Sequence, residues 1–441
     1  MKGKFQAFFA ATFISRIFGY ARDLAIAHFV GGGYWADLYF AGFRLANFLR
    51  NFVGEGGLYA AYTPVYAALL GRNKDSATKF AHAYAGKLTL VLVGLVVAGI
   101  IAARPLTGVL LMGFSSDPEK IFWAVKLTRI LLPFLLFVTL AAWAQATIQA
   151  HDKFFLSSLS PIFASFSIVV FLLWAGRDDP GAPSEALIIG LAWATTIGGL
   201  AQYLVLLPQL LSLIGFHGVK SLWEKHPELK HSLALLGPYA VTFSLDQINS
   251  IVNIFFATFA EQGSISALYN SSRLIQLPLG LIGVGTLVTS LPELSRLVDQ
   301  GQIRHLREEM ARQRKRIFAF QVPAVLVFIF LGHWIIRLLY FHGRFDERAL
   351  DLTSGVLAFS APSLLFYSLQ KAYLGLFYAH RDTKSLMWTS ALSVTFSIVI
   401  SALAVGPLGA KGIALAATLS SLIGLGAMSF LASKRGYLKI S

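Results

Sequence analysis

The sequence contains no cysteine and few charged residues. Of its 441 residues, 13% are charged, about half the share that is typical of a soluble globular domain. The absence of cysteine excludes a secreted scaffold held together by disulfides, and it leaves the redox compartment undetermined. The shortage of charge argues against a series of soluble domains, because a surface in contact with water needs more charged side chains than this chain provides.

The chain consists largely of long apolar runs. Hydrophobic residues make up 56% of the chain, and runs of about 20 residues recur along it, each long enough to cross a hydrocarbon core of about 30 Å. A membrane β-barrel would instead show runs of about ten alternating residues. The sequence therefore predicts an all-α polytopic membrane protein with 12 transmembrane helices. The predicted spans are residues 5–30, 35–70, 81–103, 120–148, 157–175, 185–212, 232–259, 267–293, 317–340, 348–378, 385–404 and 411–432.

The charges around these spans predict the orientation of the chain. The first span carries Arg16, Arg22 and Asp23 and has no small-residue cleavage site after it, so we expect a retained helix rather than a removed signal peptide. If the N-terminus is cytoplasmic, the inward-facing segments hold 21 of the 37 Lys and Arg residues, whereas the outward loops hold three to six. The positive-inside rule then predicts that both termini are cytoplasmic.

The most basic segment lies between two predicted spans, at residues 294–316, and carries seven Lys and Arg residues. One interpretation is an interfacial helix that lies on anionic lipid, and the other is a solvated run of charge. Because topology explains the net charge of +15, we predict no nucleic-acid partner.

The chain resembles itself at an offset of 229 residues. Pro133 corresponds to Pro362, the pair Ala-His ending at His151 corresponds to the pair ending at His380, and Arg44 corresponds to Arg273. Each repeat unit holds six spans, so the two halves have the same orientation. This predicts two six-helix lobes related by a pseudo-two-fold axis along the membrane normal, with a central cavity between them. The predicted domains are an N-lobe at 1–215, a cytoplasmic linker at 216–231 and a C-lobe at 232–441.

Ten cationic residues fall inside the predicted spans, and five of them are arginines that lie deep. An isolated charge at the bilayer centre costs at least about 2.5 kcal/mol, so such residues should face water or a ligand. Ion pairs such as Arg22 with Asp37 or Arg50 with Glu55 are the structural alternative, but the nearby helices offer too few carboxylates for all five. A surplus of guanidinium groups predicts an anion site, and the planar fork of arginine suits a diphosphate. The five deep arginines are Arg16, Arg22, Arg44, Arg50 and Arg273.

One acidic residue, Asp246, lies deep in the seventh predicted span, close to Asn249 and Asn253. It is predicted either to bind a coupling Na⁺ or H⁺ or to serve as a hydrogen-bond partner between helices. The membrane potential is a further possible source of energy for transport. No P-loop is present, so direct use of ATP is not expected, and we predict neither a resident cofactor nor a metal site.

An integral membrane enzyme would need an acidic pair, a metal cluster or a histidine-based site at a membrane edge. The candidates are His151 with Asp152, and His380 with Arg381 and Asp382. They occupy repeat-equivalent turns, which favours a structural or gating role. We therefore predict that the protein is not an enzyme.

The deep charges belong to longer motifs. The run SRIFGYARD at 15–23 is followed by Ala-Asp at 36–37, FRLANFLR at 43–50, Glu-Gly at 55–56 and Pro64. Together they resemble the N-terminal signature of the bacterial lipid II flippases (MurJ/MviN), within the multidrug/oligosaccharidyl-lipid/polysaccharide exporter superfamily. The likeness continues to the end of the chain through SISALY at 264–269, YFHGRF at 340–345 and YAHRDTK at 378–384.

The resemblance implies a V-shaped transporter of the bacterial inner membrane that moves undecaprenyl-diphosphate-linked glycopeptide from the inner to the outer leaflet by alternating access. Its cavity arginines would be Arg16, Arg22, Arg50 and Arg273. It also implies that Asp37, Ser266 and Arg22 lie at the outer closure between the lobes. Glu55 and the turn that contains Arg381 are candidates for the inner closure. A monomer is expected.

This chain departs from the family pattern at three places. Ala46 and Ser272 replace a frequent proline and a frequent acidic residue, and the sequence ends after twelve spans, whereas many members have fourteen. Two alternative functions remain: a flippase for another polyprenyl-linked glycan, and a cation-coupled multidrug exporter of the same fold. Cationic drugs would require cavity carboxylates, so the excess of arginine argues against the exporter.

Overall fold

The computed structural model describes residues 2–50, 58, 61–177, 181–216 and 223–437. The side chains of residues 2–12, 49, 233 and 235–247 lie outside this description. Two residues from the sequence analysis are affected: Glu55 lies outside the described residues, and Asp246 is described for its backbone alone. Within the described part the chain is all-helical, without β-strands.

The first compact unit comprises Met1–Gly31 and Leu38–Gln247. Its longest helices begin at polar or proline residues that suit helix starts: Asp117 accepts hydrogen bonds from the backbone amides of Glu119 and Lys120, and Ser184 accepts one from Leu187. The helices from the N-terminus to the helix that crosses the boundary after Gln247 are α1 (Lys2–Val30), α2 (Tyr34–Arg50), α3 (Thr63–Arg72), α4 (Lys74–Ile101), α5 (Ala103–Leu110), α6 (Pro118–Ala150), α7 (Phe155–Leu159), α8 (Pro161–Ala175), α9 (Glu185–Ile214) and α10 (Pro227–Ala257).

The second compact unit comprises Gly32–Asp37 and Ile248–Ser441. Two of its helical stretches are interrupted. A π-helical segment, Leu279–Val284, breaks the predicted span 267–293 after Pro278. Gly409 interrupts the last long helix with φ 55° and ψ −135°, between the predicted spans 385–404 and 411–432. The helices that follow α10 are α11 (Ser264–Pro278), α12 (Gly285–Asp299), α13 (Ile303–Phe330), α14 (Gly332–Tyr340), α15 (Glu347–Ala379) and α16 (Thr383–Lys434).

A helix overlaps each of the twelve predicted spans. By length and composition, seven helical segments among the described residues can cross a membrane. An eighth is added if α13 and α14, which are bent by 73° at residue 331, form one span. The all-helical, multi-pass prediction is confirmed, and the number of twelve crossings stays a prediction.

The helix bounds repeat the offset of 229 residues that the sequence contains. Helix α4 at 74–101 corresponds to α13 at 303–330, and α6 at 118–150 corresponds to α15 at 347–379. In each pair the two helices start and end at equivalent positions. The repeat in the sequence is therefore also a repeat in local structure.

The ends of the repeated helices share the same chemistry. Asp117 and Asp346 are equivalent and both accept backbone hydrogen bonds at a helix N-terminus. Asp152 and Arg381 are also equivalent, and they are the two non-glycine residues with positive φ in the described chain, at 64° and 55°. Because few side chains tolerate this backbone region, its recurrence indicates that the same tight turn follows α6 and α15.

Each unit has its own apolar core. In the first unit, Tyr62 lies between the rings of Tyr66 and Phe80, with centroid distances of 5.2 and 5.6 Å. In the second unit, Met310, Ile317 and Phe377 belong to one cluster of buried apolar residues.

The basic segment 294–316 contains the end of α12, up to Asp299, and the first half of α13, from Ile303 onward. Buried residues recur along one face of this half, and most of its cations are exposed. The buried positions are Leu306, Met310, Gln313 and Ile317.

Candidate substrate-binding and gating residues

Helix α1 carries the first two predicted site residues. Arg16 is exposed, and Arg22 is largely buried. The Nε and Nη2 atoms of Arg22 donate to the same carboxylate oxygen of Asp23, at 3.0 and 2.7 Å. Asp23 is only 2% exposed, so the guanidinium supplies a charge partner that a buried carboxylate requires. Arg22 also lies 5.9 Å from the ring centroid of Phe43.

Helix α2 carries two more predicted arginines. Arg44 and Arg50 are both half-buried. The Nε atom of Arg50 donates to the side-chain oxygen of Asn47 at 2.7 Å. This partner is neutral and lies three residues earlier on the same helix, a spacing that places two side chains on one helix face.

Helix α11 carries Arg273, which is half-buried. Its Nε and Nη2 atoms donate to the hydroxyl of Tyr269 at 3.2 and 2.7 Å. The guanidinium also lies 5.0 Å from the centroid of the Tyr269 ring, within cation–π range. Tyr269 ends the motif SISALY, but no role was predicted for it. The spacing of four residues was the signal that could have identified the pair.

Asp37 and Ser266 are brought together within the second unit. The two carboxylate oxygens of Asp37 accept hydrogen bonds from the backbone amides of Gly263 and Ser266, at 2.7 and 2.8 Å. These amides lie at the N-terminus of α11, where donors lack helical partners and the helix dipole attracts a negative charge. Asp37 is 5% exposed and Ser266 is 1% exposed.

Close backbone contacts complete this cluster. The Ser266 hydroxyl donates to the carbonyl oxygens of Gly32 and Gly263, at 2.8 and 2.9 Å. Gly263 has φ 97°, and a Cβ atom there would lie 2.6 Å from the carbonyl oxygen of Gly32. Glycine is therefore required by both the backbone conformation and the available space.

The turn that contains Arg381 is attached to the end of α16. The ring of His380 stacks on Tyr437 with centroids 3.9 Å apart. The Tyr437 hydroxyl donates to a carboxylate oxygen of Asp382 at 2.7 Å, and the same oxygen lies 3.8 Å from Nε of Arg435. Asp382 also caps α16 by accepting from the Ser385 amide.

These contacts shift two pKa values. Partial burial acts to raise the pKa of Asp382, but the hydrogen bonds from Ser385 and Tyr437 outweigh it and hold this pKa below its ordinary value. Burial and the bond to Asp382 raise the pKa of Tyr437 to about 12. The turn is therefore held by an ionised carboxylate and a neutral phenol at neutral pH.

The equivalent turn in the first unit is held differently. His151 makes a 2.8 Å hydrogen bond with the hydroxyl of Tyr66 through Nε2. Burial lowers the pKa of His151, and the positive charges of Lys153 and Lys74 lower it further. His151 and His380, the two histidines considered as candidates for an enzyme site, thus both make contacts that fix a turn. Among the described residues, no group of three or more His, Asp or Glu side chains is arranged to bind a metal ion.

Around the predicted ion site, Asn249 of α10 accepts a hydrogen bond from the Ser397 hydroxyl of α16 at 2.8 Å. The side-chain oxygen of Asn253, one helical turn further, is buried without a hydrogen-bond partner.

Comparison with known proteins identifies the family. The family described as lipid II flippase MurJ matches residues 26–441. A probable lipid II flippase MurJ of Rhizobium tropici is 31% identical, in an alignment that covers 99% of this chain and 81% of the relative. The lipid II flippase MurJ of Burkholderia cenocepacia is 28% identical, with coverages of 85% and 72%.

Solved structures show the same relationship. A lipid II flippase MurJ in an inward closed conformation has a TM-score of 0.80 and 26% identity, covering 98% of this chain and 89% of its own. A multidrug resistance MATE family transporter in an inward-facing conformation has a TM-score of 0.77, covering 97% and 96%. Its 15% identity means that this likeness concerns the fold alone.

The apolar helices, the charged side chains within them and the shared fold define a multi-pass membrane transporter. More specifically, the chain belongs to the lipid II flippase MurJ family. This is a family of transporters and not a class of enzymes.

Proposed function

We propose that the protein moves a polyprenyl-diphosphate-linked glycopeptide, the peptidoglycan precursor lipid II, from the inner to the outer leaflet of the cytoplasmic membrane. The observation that carries the proposal is that arginines occur at half-buried positions on helices of a lipid II flippase family member. Arg22, Arg50 and Arg273 are each held by a polar partner on their own helix. Side chains fixed in this way are suited to bind a diphosphate through two parallel hydrogen bonds.

Transport by this protein would proceed by alternating access. In the inward-open state, the arginines attract the diphosphate, and the polyprenyl tail stays in the lipid. Arg16 and Arg44 extend the positive surface along α1 and α2. Release on the outer side requires the affinity for the anion to fall, and a change of partner by Arg22, from Asp23 to Asp37, supplies one route.

The gates belong to the same proposal. The bonds of Asp37 to the N-terminus of α11 form the outer gate when closed, and they break when the outer side opens. Arg381, on its tight turn, and Glu55 contribute to the inner gate. The pairing of Asp37 with Ser266 supports this assignment. A buried carboxylate binds strongly to a helix N-terminus, and this interaction is lost when the carboxylate moves away from the first turn of the helix.

Two sources of energy are proposed. The membrane potential, inside negative, favours outward movement of an anionic head group by about 2.3 kcal/mol per charge for each 100 mV crossed. A coupling Na⁺ or H⁺ would bind near Asp246, and the amide oxygens of Asn249 and Asn253 on the same helix are suitable neighbours for it.

The remaining proposals concern the surroundings of the protein. We propose that both termini are cytoplasmic and that the protein acts as a monomer. The exposed cations on the first half of α13 would then lie on anionic lipid at the cytoplasmic face, because the buried face of this helix fixes their direction.

A cation-coupled multidrug exporter is the second candidate, because a MATE transporter shares the fold and the fold is therefore compatible with such a function. The two candidates differ in the charge of their cargo. Transport of a cationic dye, without movement of a lipid-linked precursor, would support the exporter.

The direct test is complementation of a bacterium depleted of its own lipid II flippase, scored by whether the lipid-linked precursor becomes accessible on the outer face. The alanine variants of Arg22, Arg50 and Arg273 should be expressed normally and fail to complement. Arg177→Ala is the matched control, because Arg177 is an exposed residue between α8 and α9. Complementation by all three site variants would contradict the assignment.

Lysine at the same three positions separates charge from geometry. Loss of a charge-assisted hydrogen bond costs about 1.5–3 kcal/mol, so flipping should fall by about 10- to 100-fold even though the charge is kept. Full activity of the lysine variants would mean that the fork of the guanidinium is not used.

A further inference from the structure

Tyr269 fixes the side chain of Arg273 at two points. Its hydroxyl accepts from both Nε and Nη2, at 3.2 and 2.7 Å, so it holds one edge of the guanidinium. The centroid of its ring lies 5.0 Å from the guanidinium carbon, within cation–π range. Because Tyr269 is only 4% exposed, its own position is fixed by packing.

The chemistry of this contact differs from that of an ion pair. A phenol hydroxyl is neutral, so it directs the guanidinium without cancelling its charge. A carboxylate in the same place would hold the arginine more tightly, but it would also repel a diphosphate. Asn47 gives Arg50 a neutral partner of the same kind at 2.7 Å.

The internal repeat shows that the hydroxyl is an addition to one half of the chain. At the offset of 229 residues, Tyr269 and Arg273 correspond to Phe40 and Arg44. Phe40 is 1% exposed, so an aromatic ring is buried at both positions. The ring is the shared structural element, and the hydroxyl contacts the arginine in the second unit alone.

We propose that Tyr269 is a positioning residue for diphosphate recognition: through its hydroxyl it presents the guanidinium of Arg273 in the orientation that binds the anion. This inference rests on the proposed function, in which Arg273 contacts the diphosphate. Tyr269 acts through Arg273 and need not touch the substrate itself. Preorganisation of this kind raises affinity, because binding no longer has to fix a flexible side chain.

The test uses Tyr269→Phe in the full-length protein, reconstituted in lipid vesicles, with inorganic pyrophosphate as a competitor of lipid flipping. Phenylalanine keeps the ring and removes the hydroxyl, and Phe40 shows that the equivalent position accepts it. We expect the pyrophosphate concentration for half-inhibition and the apparent KM for the lipid to rise about tenfold, which corresponds to about 1.4 kcal/mol. The maximal rate should change by less than about threefold, because a positioning residue acts mainly on binding.

Tyr62→Phe is the matched control. It also removes a buried tyrosine hydroxyl, but this hydroxyl forms a 2.8 Å hydrogen bond with the hydroxyl of Thr147 and not with an arginine. We expect it to lower the thermal midpoint at least as much as Tyr269→Phe while leaving pyrophosphate inhibition unchanged. Equal inhibition of the wild type and Tyr269→Phe, or an equal loss in both tyrosine variants, would overturn the proposal.

The same experiment gives a different result if the proposed function itself, binding of a diphosphate, is wrong. If the wild type flips lipid but pyrophosphate does not inhibit it, or if Arg273→Ala is inhibited like the wild type, the diphosphate site itself is contradicted. If Arg273→Ala loses inhibition and Tyr269→Phe keeps it in full, only the role of Tyr269 is contradicted.

Discussion

At the scale of single residues, the protein places charged groups where a membrane protein normally has none and gives them polar partners at short range. Arg22 is held by a carboxylate, whereas Arg50 and Arg273 are held by an amide and a phenol. The arginines could be identified from the sequence because charges in apolar spans are rare. Their partners were missed because a partner is defined by side-chain direction, which composition does not give.

Asp37 is the residue whose surroundings lead to the clearest mutational prediction. Replacement by Asn keeps the shape but presents an NH₂ group to one of the two backbone amides that the carboxylate now satisfies. Leaving one buried donor without an acceptor costs about 1–3 kcal/mol. We expect Asp37→Asn to lower the thermal midpoint of the purified protein and to raise the accessibility of Ser266 from the outer face.

The matched control is Asp346→Asn, which alters an aspartate that also caps a helix, through a 2.8 Å bond to the Ala349 amide. Its effect on accessibility at Ser266 should be small. Because the natural sequence contains no cysteine, a single cysteine introduced at Ser266 reports accessibility by thiol labelling without background. Equal labelling in the parent and Asp37→Asn proteins would contradict the gate.

At the scale of helices and turns, the repeat predicted from a few proline, arginine and Ala-His matches extends to the bounds of whole helices. Helices α4 and α13 have equivalent ends, and so do α6 and α15. Local signals explain this agreement, because aspartate caps and tight turns are encoded within a few residues. The π-helical segment at 279–284 could not be predicted in this way, because it depends on packing as much as on Pro278.

The turn after α15 yields a prediction on pH. The pKa of Asp382 is lowered in the folded protein, so its ionised form stabilises the fold above pH 3.8 and this contribution is lost as the pH falls through the lowered value. Tyr437→Phe removes one of the bonds that lower the pKa. We therefore expect this variant to be less stable at neutral pH, and the difference from the wild type to shrink as Asp382 becomes protonated.

The measurement is the free energy of unfolding, or the thermal midpoint, from pH 7 down to pH 3. Tyr373→Phe is the control, because its hydroxyl donates to Ser429 and to no titrating group. A deficit for Tyr437→Phe that does not change with pH would show that the bond to the carboxylate is not its cause.

At the scale of the whole molecule, the proposed movement of an anionic head group links transport to the membrane potential. The predicted contribution of about 2.3 kcal/mol per charge for 100 mV implies faster outward flipping when the inside is negative. In vesicles in which the cytoplasmic side of the protein faces the lumen, a potassium gradient with valinomycin that makes the lumen negative should raise the flipping rate. Reversal of the gradient should lower this rate. The same gradients without valinomycin are the control. A flipping rate that does not change with the potential would contradict the proposal that the membrane potential supplies energy for transport.

The sequence by itself determined the class of the protein, because apolar run length, charge asymmetry and arginines in the spans are properties of composition and order along the chain. It also determined most helix ends and the repeat, since caps and turns are local. The tertiary structure decided which groups meet: that Asp37 closes the N-terminus of a helix more than 220 residues away, that Tyr437 holds the turn of Arg381, and that Tyr269 directs Arg273. Such contacts depend on how packed helices align and rotate, and no local pattern fixes that geometry.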